Sequence, residues 1–166
     1  MENIIFKQMD DNYLKGVAGI YNYYVMNTTA TFHAHELSAD EIKELVFFDN
    51  ARYATFVIMR DDCTCGFVSL KQHKTREAYN DTAEVSVYLD PGKTGKGLGS
   101  LAVNYIENHA KTKGIHVLIA TICGENEKSI NVFSRNGFFK CAHYKEVGRK
   151  FGQLLDVVAY QKILDK

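Results

Sequence analysis

The sequence predicts one α/β domain over residues 1–166, with a mixed central sheet of about six to seven strands flanked by about four helices. Three observations lead to this fold class. The chain has 166 residues, of which 46% are hydrophobic and 12% aromatic, as in a folded domain. Strand-like and helix-like periodicities follow in the order strand, two helices, three strands, helix, strand, helix and two strands. A cluster of four glycines stands directly before the third helix: Gly92, Gly95, Gly97 and Gly99.

The first strand and the first two helices are predicted from short local signals. Residues 4–6, Ile-Ile-Phe, are typical of a short strand. Asp10 or Asp11 is suited to cap a helix whose apolar residues recur at helical spacing as far as Tyr24. Ser38 and Glu41 have the spacing of a capping box, which predicts that a second helix begins after Ser38.

Three strands are predicted to follow as a meander. The segments ATFVIMR (54–60) and CGFVSLKQH (65–73) are rich in β-forming residues, and Asp61-Asp62 is typical of a tight turn between them. The segment AEVSVYLD (83–90) alternates in polarity and predicts the third strand. This alternation puts Glu84, Ser86 and Tyr88 on one face and the intervening valines on the other.

The carboxyl-terminal half is predicted to alternate helix and strand. The helix after the glycines ends at Gly114, and residues 115–122 are the continuous apolar run of a buried strand. A short helix follows within residues 126–138, and Asn136-Gly137 closes it. Residues 138–148 and 153–164 predict the last two strands.

The charge balance limits the classes of partner. Twenty basic residues match twenty acidic ones, so we expect no nucleic-acid partner and no membrane partner. Residues 1–4 show no signal-peptide pattern, and no apolar segment is long enough to span a bilayer. The four cysteines form no Cys-x2-Cys pair, which favours a cytoplasmic protein without a metal site.

The glycine cluster does not fit the two common nucleotide-binding motifs. A Walker A loop ending at Gly92-Lys93-Thr94 would need its first glycine at the position of Val87, inside a strand. The segment Gly97 to Ala102 has the form Gly-x-Gly-x-x-Ala, but it lies several residues beyond Leu89, too far from the strand for a dinucleotide fingerprint.

A pyrophosphate site of another type fits better. Glycines allow a close approach of the backbone, and the amides of residues 95–100 would meet an anion at the positive end of the helix. Lys93 and Lys96 add local positive charge in a neutral chain. The alternative is a tight turn between strand and helix, which one or two glycines would be enough to form.

At this point the sequence resembles the Gcn5-related N-acetyltransferases (GNAT), and more closely their phosphinothricin/methionine-sulfone acetyltransferase branch. Four segments carry the resemblance: IYNYYVMNTTATF (20–32), REAYNDTAEVSVYLDPGKTGKGLGS (76–100), NEKSINVFSRNGF (126–138) and VGRKFGQLLDVVAYQ (147–161). They follow the family order over most of the chain. The resemblance implies a single N-acetyltransferase domain of the GNAT fold.

The resemblance also implies that the glycine turn binds the pyrophosphate of acetyl-CoA. The strand before it would pair with the pantetheine arm, and the following helix would line the same channel. Thr94 replaces the long polar residue that usually begins the glycine motif, so backbone amides are expected to provide most of the binding. The implied cofactor-binding residues are Val87, Tyr88, Leu89, Thr94, Gly95, Lys96, Gly97, Leu98, Gly99, Ser100, Asn126, Ser129 and Arg135. Taken alone, Asn126 would be read as a helix cap.

The catalytic residues implied by the resemblance are Glu84 and Leu89. Glu84 would be the base that removes a proton from the acceptor amine, and the backbone amide of Leu89 would stabilise the thioester oxygen. Without the resemblance, Glu84 would be an ordinary solvent-facing strand residue. Phe133 occupies the position where relatives carry a tyrosine or histidine acid, so we assign no general acid.

The acceptor is expected to be the amine of a small molecule, an amino acid or an analogue of phosphinothricin or methionine-sulfone type. The resemblance implies that Phe32, Arg76, Tyr79 and Glu84 bind it, with Arg76 suited to a carboxylate or phosphinate. Likeness to dimeric relatives implies a homodimer. Two alternatives remain: an acyl-CoA-binding sensor without catalytic activity, and an acetyltransferase acting on protein or tRNA-bound amines.

Overall fold

A computed structural model describes residues 3–95 and 97–165. Within these residues the chain forms seven strands and four α-helices around one mixed sheet. The strands are β1 (Ile4–Gln8), β2 (Ala54–Arg60), β3 (Cys63–Gln72), β4 (Thr82–Leu89), β5 (Val117–Cys123), β6 (Phe139–Lys150) and β7 (Gln153–Ile163). The helices are α1 (Leu14–Asn27), α2 (Ala39–Val46), α3 (Leu98–Thr112) and α4 (Glu127–Arg135). The predicted fold class, strand number and element order are confirmed.

Local signals fix several of these elements as expected. Ser38 and Glu41 form the complete capping box of α2, with Ser38 N–H donating to the Glu41 carboxylate over 2.8 Å. Asp61 and Asp62 both have positive φ angles, 47° and 61°, and make the two-residue turn between β2 and β3. Such a turn has the twist that a tight β-hairpin requires. At the end of α4, Gly137 has a φ of 85°, which glycine adopts without steric cost.

The sheet has the order β1-β2-β3-β4-β5-β7-β6 and is antiparallel except where β4 meets β5. The last hairpin is inserted with β7 beside β5, which leaves β6 at the edge. Of the described helices, none is long and apolar enough to cross a membrane.

Two apolar cores lie on opposite faces of the sheet. Helices α1 and α2 cover one face, where Val17, Ile42 and Phe67 are buried. Helix α3 covers the other, where Ile106, Val85 and Leu118 are buried and Phe133 of α4 packs in. Because alternate residues of β4 point to opposite faces, the strand contributes to both cores.

Candidate active site

Strands β4 and β5 are paired over only a short distance. Their parallel ladder joins Thr82–Glu84 to Val117–Ile119. Beyond it, β4 continues to Leu89 along β3, and β5 continues to Cys123 along β7. The two strands therefore separate after Glu84. Three cavities lie along the gap, and neighbouring cavities share lining residues.

The largest of the three, about 610 Å³, lies at the glycine turn and the start of α3. Gly95 and Gly97 have φ angles of 91° and 78°, a region in which other residues are strained. Gly97 is the N-cap of α3, so the amides of Gly99 and Ser100 in the first turn have no acceptor within the helix. A Cβ atom at Gly99 would lie 3.2 Å from a methyl group of Val132, so this glycine lets α4 pack closely on α3.

Helix α4 forms the opposite wall of this cavity. Lys128 and Arg135 both line it, and they lie seven residues apart, so they are on one face of the helix. Lys128 was not expected from the sequence, although its spacing of seven residues from Arg135 was a usable signal. Asn136 donates to the Ser100 hydroxyl over 2.9 Å and so connects the end of α4 with the first turn of α3.

The backbone of β4 offers hydrogen-bond donors to the gap. Asp90 N–H donates to Cys65 of β3 over 2.8 Å. Because successive residues of a strand point their backbone groups to opposite sides, the N–H groups of Val87 and Leu89 point away from β3, toward β5. The ladder between β4 and β5 has ended before these positions, so they have no partner on β5.

A narrow cavity of about 80 Å³ joins the two ends of the gap. Val85–Tyr88 and Ala120–Ile122 line its two sides, and Asn126, Ser129 and Phe133 line it from α4. Asn126 also caps α4, because its side chain accepts a hydrogen bond from Ser129 N–H over 3.2 Å. The capping role and the position at the cavity therefore coexist. Phe133 is buried at this point, with no proton to donate.

The third cavity, about 310 Å³, lies between β4 and the helices α1 and α2, and Glu84 lines it. The Glu84 side chain is 22% exposed, and each carboxylate oxygen has its own partner. Oε1 is 2.9 Å from His73 Nδ1, and Oε2 is 3.4 Å from Lys71 Nζ. Neither partner was expected from the sequence. Lys71 lies opposite Glu84 in the β3–β4 ladder, a contact that only the register reveals.

Tyrosines border this cavity on the side of the gap. Tyr88 packs edge-on against Tyr21 and Tyr24, with ring centroids 5.0 Å and 5.5 Å apart. Burial raises the pKa of the Tyr88 and Tyr21 hydroxyls, so both stay protonated at neutral pH. Tyr24 donates to the carbonyl oxygen of Leu89 over 2.6 Å and thereby holds the peptide that ends β4.

The other residues expected at the acceptor site lie outside the 310 Å³ cavity. Phe32 is 40% exposed and packs on the backbone of Gly148. Arg76 is exposed and begins a 3₁₀ turn, Glu77–Tyr79. Tyr79 is nearer to the site, since its ring centroid is 5.7 Å from that of His73.

Of the two lysines expected to add positive charge at the glycine turn, Lys93 is placed by the structure and Lys96 is not described. Lys93 points back to β3, where its ammonium donates to Thr64 O over 3.1 Å. It therefore does not line the 610 Å³ cavity, whereas Thr94 does. Lys96 lies outside the described residues. Among the described residues, no group of three or more acidic, histidine or cysteine side chains is arranged to hold a metal ion.

These features fit acetyl-CoA. Free amides at a helix N-terminus, with Lys128 and Arg135 nearby, suit a diphosphate. The unpaired N–H groups of Val87 and Leu89 suit an extended arm that carries amide carbonyls. The gap leads from these groups to Glu84, so one molecule can reach from the glycine turn to the 310 Å³ cavity that Glu84 lines, named the acceptor cavity from here on.

Comparison with known proteins agrees with this geometry. The acetyltransferase (GNAT) family model matches residues 15–138. An L-methionine sulfoximine/L-methionine sulfone acetyltransferase of Pseudomonas aeruginosa is 33% identical over 156 residues, 92% of this chain and 90% of that protein. The L-amino acid N-acyltransferase MnaT of Escherichia coli is 31% identical over 153 residues, 90% of this chain and 88% of that protein.

A solved structure extends the comparison to the fold. The crystal structure of a GNAT superfamily phosphinothricin acetyltransferase from Sinorhizobium meliloti, in complex with acetyl-CoA, superposes with a TM-score of 0.92. It is 25% identical in sequence, and the match covers 97% of this chain and 88% of that one.

Proposed function

Because the chain belongs to the acetyltransferase (GNAT) family, and so is an N-acetyltransferase that uses acetyl-CoA, we propose that its acceptor is the amine of an amino acid or a close analogue. The observation that most supports acetyl transfer to a small amine is the continuous series of cavities from the glycine turn to Glu84. The names of the relatives agree with it, because those proteins act on L-amino acids and on methionine sulfoximine or sulfone.

The cofactor is proposed to be held mainly by the backbone. Amides of Gly99 and Ser100 and the side chains of Lys128 and Arg135 bind the diphosphate. The N–H group of Val87 pairs with the pantetheine arm. When bound, acetyl-CoA supplies the thioester whose acetyl group is transferred.

Glu84 is proposed to accept the proton of the acceptor ammonium. Its carboxylate faces the 310 Å³ cavity, and the His73 imidazole and the Lys71 ammonium fix its two oxygens. The N–H group of Leu89 donates to the carbonyl oxygen of the thioester, and Tyr24 fixes the same residue through the Leu89 carbonyl. Alignment of the two reactants in one channel lowers the activation barrier further, by on the order of 7–11 kcal/mol for well-oriented groups.

A cytoplasmic homodimer is proposed as the working form. The edge strand β6 and its partner β7 expose Tyr144, Val147 and Leu154 by 54%, 60% and 48%, an apolar surface suited to a second copy. Cys63 and Cys141 are exposed free thiols, which fit a reducing compartment. Sedimentation of the purified chain measures the oligomeric state, and a monomer at micromolar concentration would remove the dimer from the proposal.

A thiol-release assay tests the proposed reaction. Purified protein is mixed with acetyl-CoA and a panel of amino acids, methionine sulfone, phosphinothricin and polyamines, and free thiol is followed. We expect release with at least one amino acid or analogue. The Glu84→Gln variant, which keeps the shape of the side chain, should reduce kcat about 100-fold or more.

Calorimetry with acetyl-CoA provides the control. Glu84→Gln should bind the cofactor as the wild type does, because Glu84 lies beyond the cofactor cavity. Cofactor binding by the wild type without thiol release from any amine would favour a sensor over an enzyme. Equal turnover in wild type and Glu84→Gln would remove Glu84 from the mechanism.

A further inference from the structure

The acceptor cavity holds a cation beside the proposed base. Of the described residues that line it, Lys71 and Glu84 are the oppositely charged pair, and Lys71 Nζ is 3.4 Å from Glu84 Oε2. The floor of the cavity is apolar and consists of Val17, Ile42, Leu45, Val46 and Phe67. The walls therefore offer one positive group, one negative group and an apolar surface, and the hydroxyl-bearing side chains that also line the cavity are uncharged: Tyr21, Ser69, Ser86, Tyr88 and Thr121.

The position of Lys71 follows from the strand register. Lys71 and Glu84 are opposite each other in the antiparallel β3–β4 ladder, so their side chains leave the same face of the sheet. The Lys71 side chain is 49% exposed. It is a flexible group at the mouth of the cavity and can exchange one carboxylate for another without becoming buried alone.

This arrangement disfavours a simple amine as acceptor. A bare ammonium that approaches Glu84 also approaches the Lys71 ammonium, and like charges at this distance repel each other. A carboxylate on the same acceptor removes the conflict. In an α-amino acid the amino nitrogen and the carboxylate oxygens are about 3 Å apart, as the bond lengths require. That spacing is close to the 3.4 Å between Lys71 and Glu84.

Building on the proposed acetyl transfer, we propose that Lys71 binds the carboxylate of the acceptor and selects α-amino acids with uncharged side chains. The amino group then lies on Glu84, and the side chain extends over the apolar floor. A charged side chain would lose its hydration there without gaining a partner of opposite charge, because Lys71 and Glu84 already bind the carboxylate and the amine. Arg76, the residue expected from the resemblance to bind a carboxylate or phosphinate, is exposed and does not line the cavity.

A substrate pair that differs only by the carboxylate tests this assignment. The pair consists of an α-amino acid that the screen finds acetylated and the amine left by its decarboxylation, for example L-leucine and isoamylamine. Each is assayed with wild type, Lys71→Met and Arg76→Met. Lys74→Met is the matched control, because Lys74 is exposed and its ammonium lies over the Tyr79 ring, outside the cavity.

The expected result is a change of specificity. In Lys71→Met, kcat/KM for the amino acid falls about tenfold or more, the factor that one charge-assisted hydrogen bond provides. For the decarboxylated amine, kcat/KM stays the same or rises, because the repelling cation is gone. Lys74→Met leaves both values unchanged. Thermal unfolding of each variant checks that the fold is retained, and an equal loss with both substrates would count against carboxylate recognition.

The outcomes separate this inference from the proposed function. Lys71 is not the carboxylate partner if the wild type acetylates simple amines as well as amino acids. The same holds if kcat/KM for the amino acid alone falls in Arg76→Met and not in Lys71→Met. In both cases the proposed acetyl transfer is retained. If no amine releases thiol, the proposed function itself fails.

Discussion

Replacing Gly66 with alanine should displace the end of β4 that carries the proposed oxyanion donor. Gly66 of β3 lies opposite Leu89 in the ladder. A Cβ atom at Gly66 would be 2.5 Å from the backbone oxygen of Tyr88 and 2.8 Å from Leu89 Cδ2. Non-bonded carbon atoms pack at about 3.5–4.0 Å. Because the oxygen belongs to the backbone, no rotamer change relieves the contact, and β4 must move by several tenths of an ångström.

The expected cost follows from this overlap. Overpacking costs about 1–3 kcal/mol, and the lower entropy of alanine in the unfolded chain offsets about 0.4–1 kcal/mol. At the middle of both ranges the free energy of unfolding should fall by about 1.3 kcal/mol, and the midpoint of thermal unfolding by about 3–5 °C for a chain of this length. Acetyl transfer should fall about tenfold, because small misplacements of catalytic groups are costly.

Circular dichroism measures the unfolding midpoint, and thiol release is measured well below it so that unfolding does not contribute. Gly19→Ala is the matched control, since a Cβ atom at Gly19 in α1 meets nothing within 4 Å. Alanine should stabilise that helix by about 0.5–1 kcal/mol. Wild-type stability and wild-type kcat in Gly66→Ala would show that the placement of Leu89 does not depend on this close contact.

Three further predictions concern binding and protonation. Lys128→Ala and Arg135→Ala should each weaken acetyl-CoA binding about three- to tenfold in calorimetry and reduce its dependence on salt, whereas unchanged affinity would place the diphosphate elsewhere. Burial raises the pKa of Glu107, but the hydrogen bonds and charges of Lys162 and Lys111 together outweigh burial and leave the pKa lowered. Wild type should therefore have a larger free energy of unfolding than Glu107→Gln above the carboxyl pKa of the unfolded chain, and this difference should disappear as the pH falls through the folded pKa of Glu107. Urea unfolding at several pH values measures the difference, and a difference that persists in acid would contradict the prediction. Because burial raises the pKa of Tyr88, this residue should not ionise in the pH range in which ordinary tyrosines do. The rise of tyrosinate absorbance over that range should therefore be the same in wild type and Tyr88→Phe, and a smaller rise in the variant would contradict this.

The sequence was sufficient where local chemistry decides the structure. The capping box of Ser38 and Glu41 needs only residues three apart, and both of its hydrogen bonds are present. The alternation in β4 placed Glu84 and Tyr88 on the face that lines the acceptor cavity. The positive φ angles at Gly95 and Gly97 agree with the use of glycine in that turn.

The sequence was insufficient where distant segments meet. The segments of β6 and β7 were recognised as strands, but their order in the sheet depends on which of them packs on β5. Leu155, Val158 and Ala159 of β7 are buried, whereas most of β6 is exposed, so β7 takes the inner position. Lys71 and His73 reach Glu84 only through the register and through the loop after β3. Neither contact has a sequence signal of its own.

The gap between β4 and β5 forms the site, but it also deprives the sheet of backbone hydrogen bonds that would stabilise the fold. β5 satisfies one side with β7 along its whole length, and β4 satisfies one side with β3 as far as Leu89. The other side of β4, at Val87 and Leu89, gives up ladder bonds that are worth about 1 kcal/mol each. Tyr24 satisfies the Leu89 carbonyl, yet no described strand pairs with the N–H groups. A ligand that supplies carbonyl acceptors there recovers what the sheet has lost, so the interruption of the ladder is itself a source of binding energy.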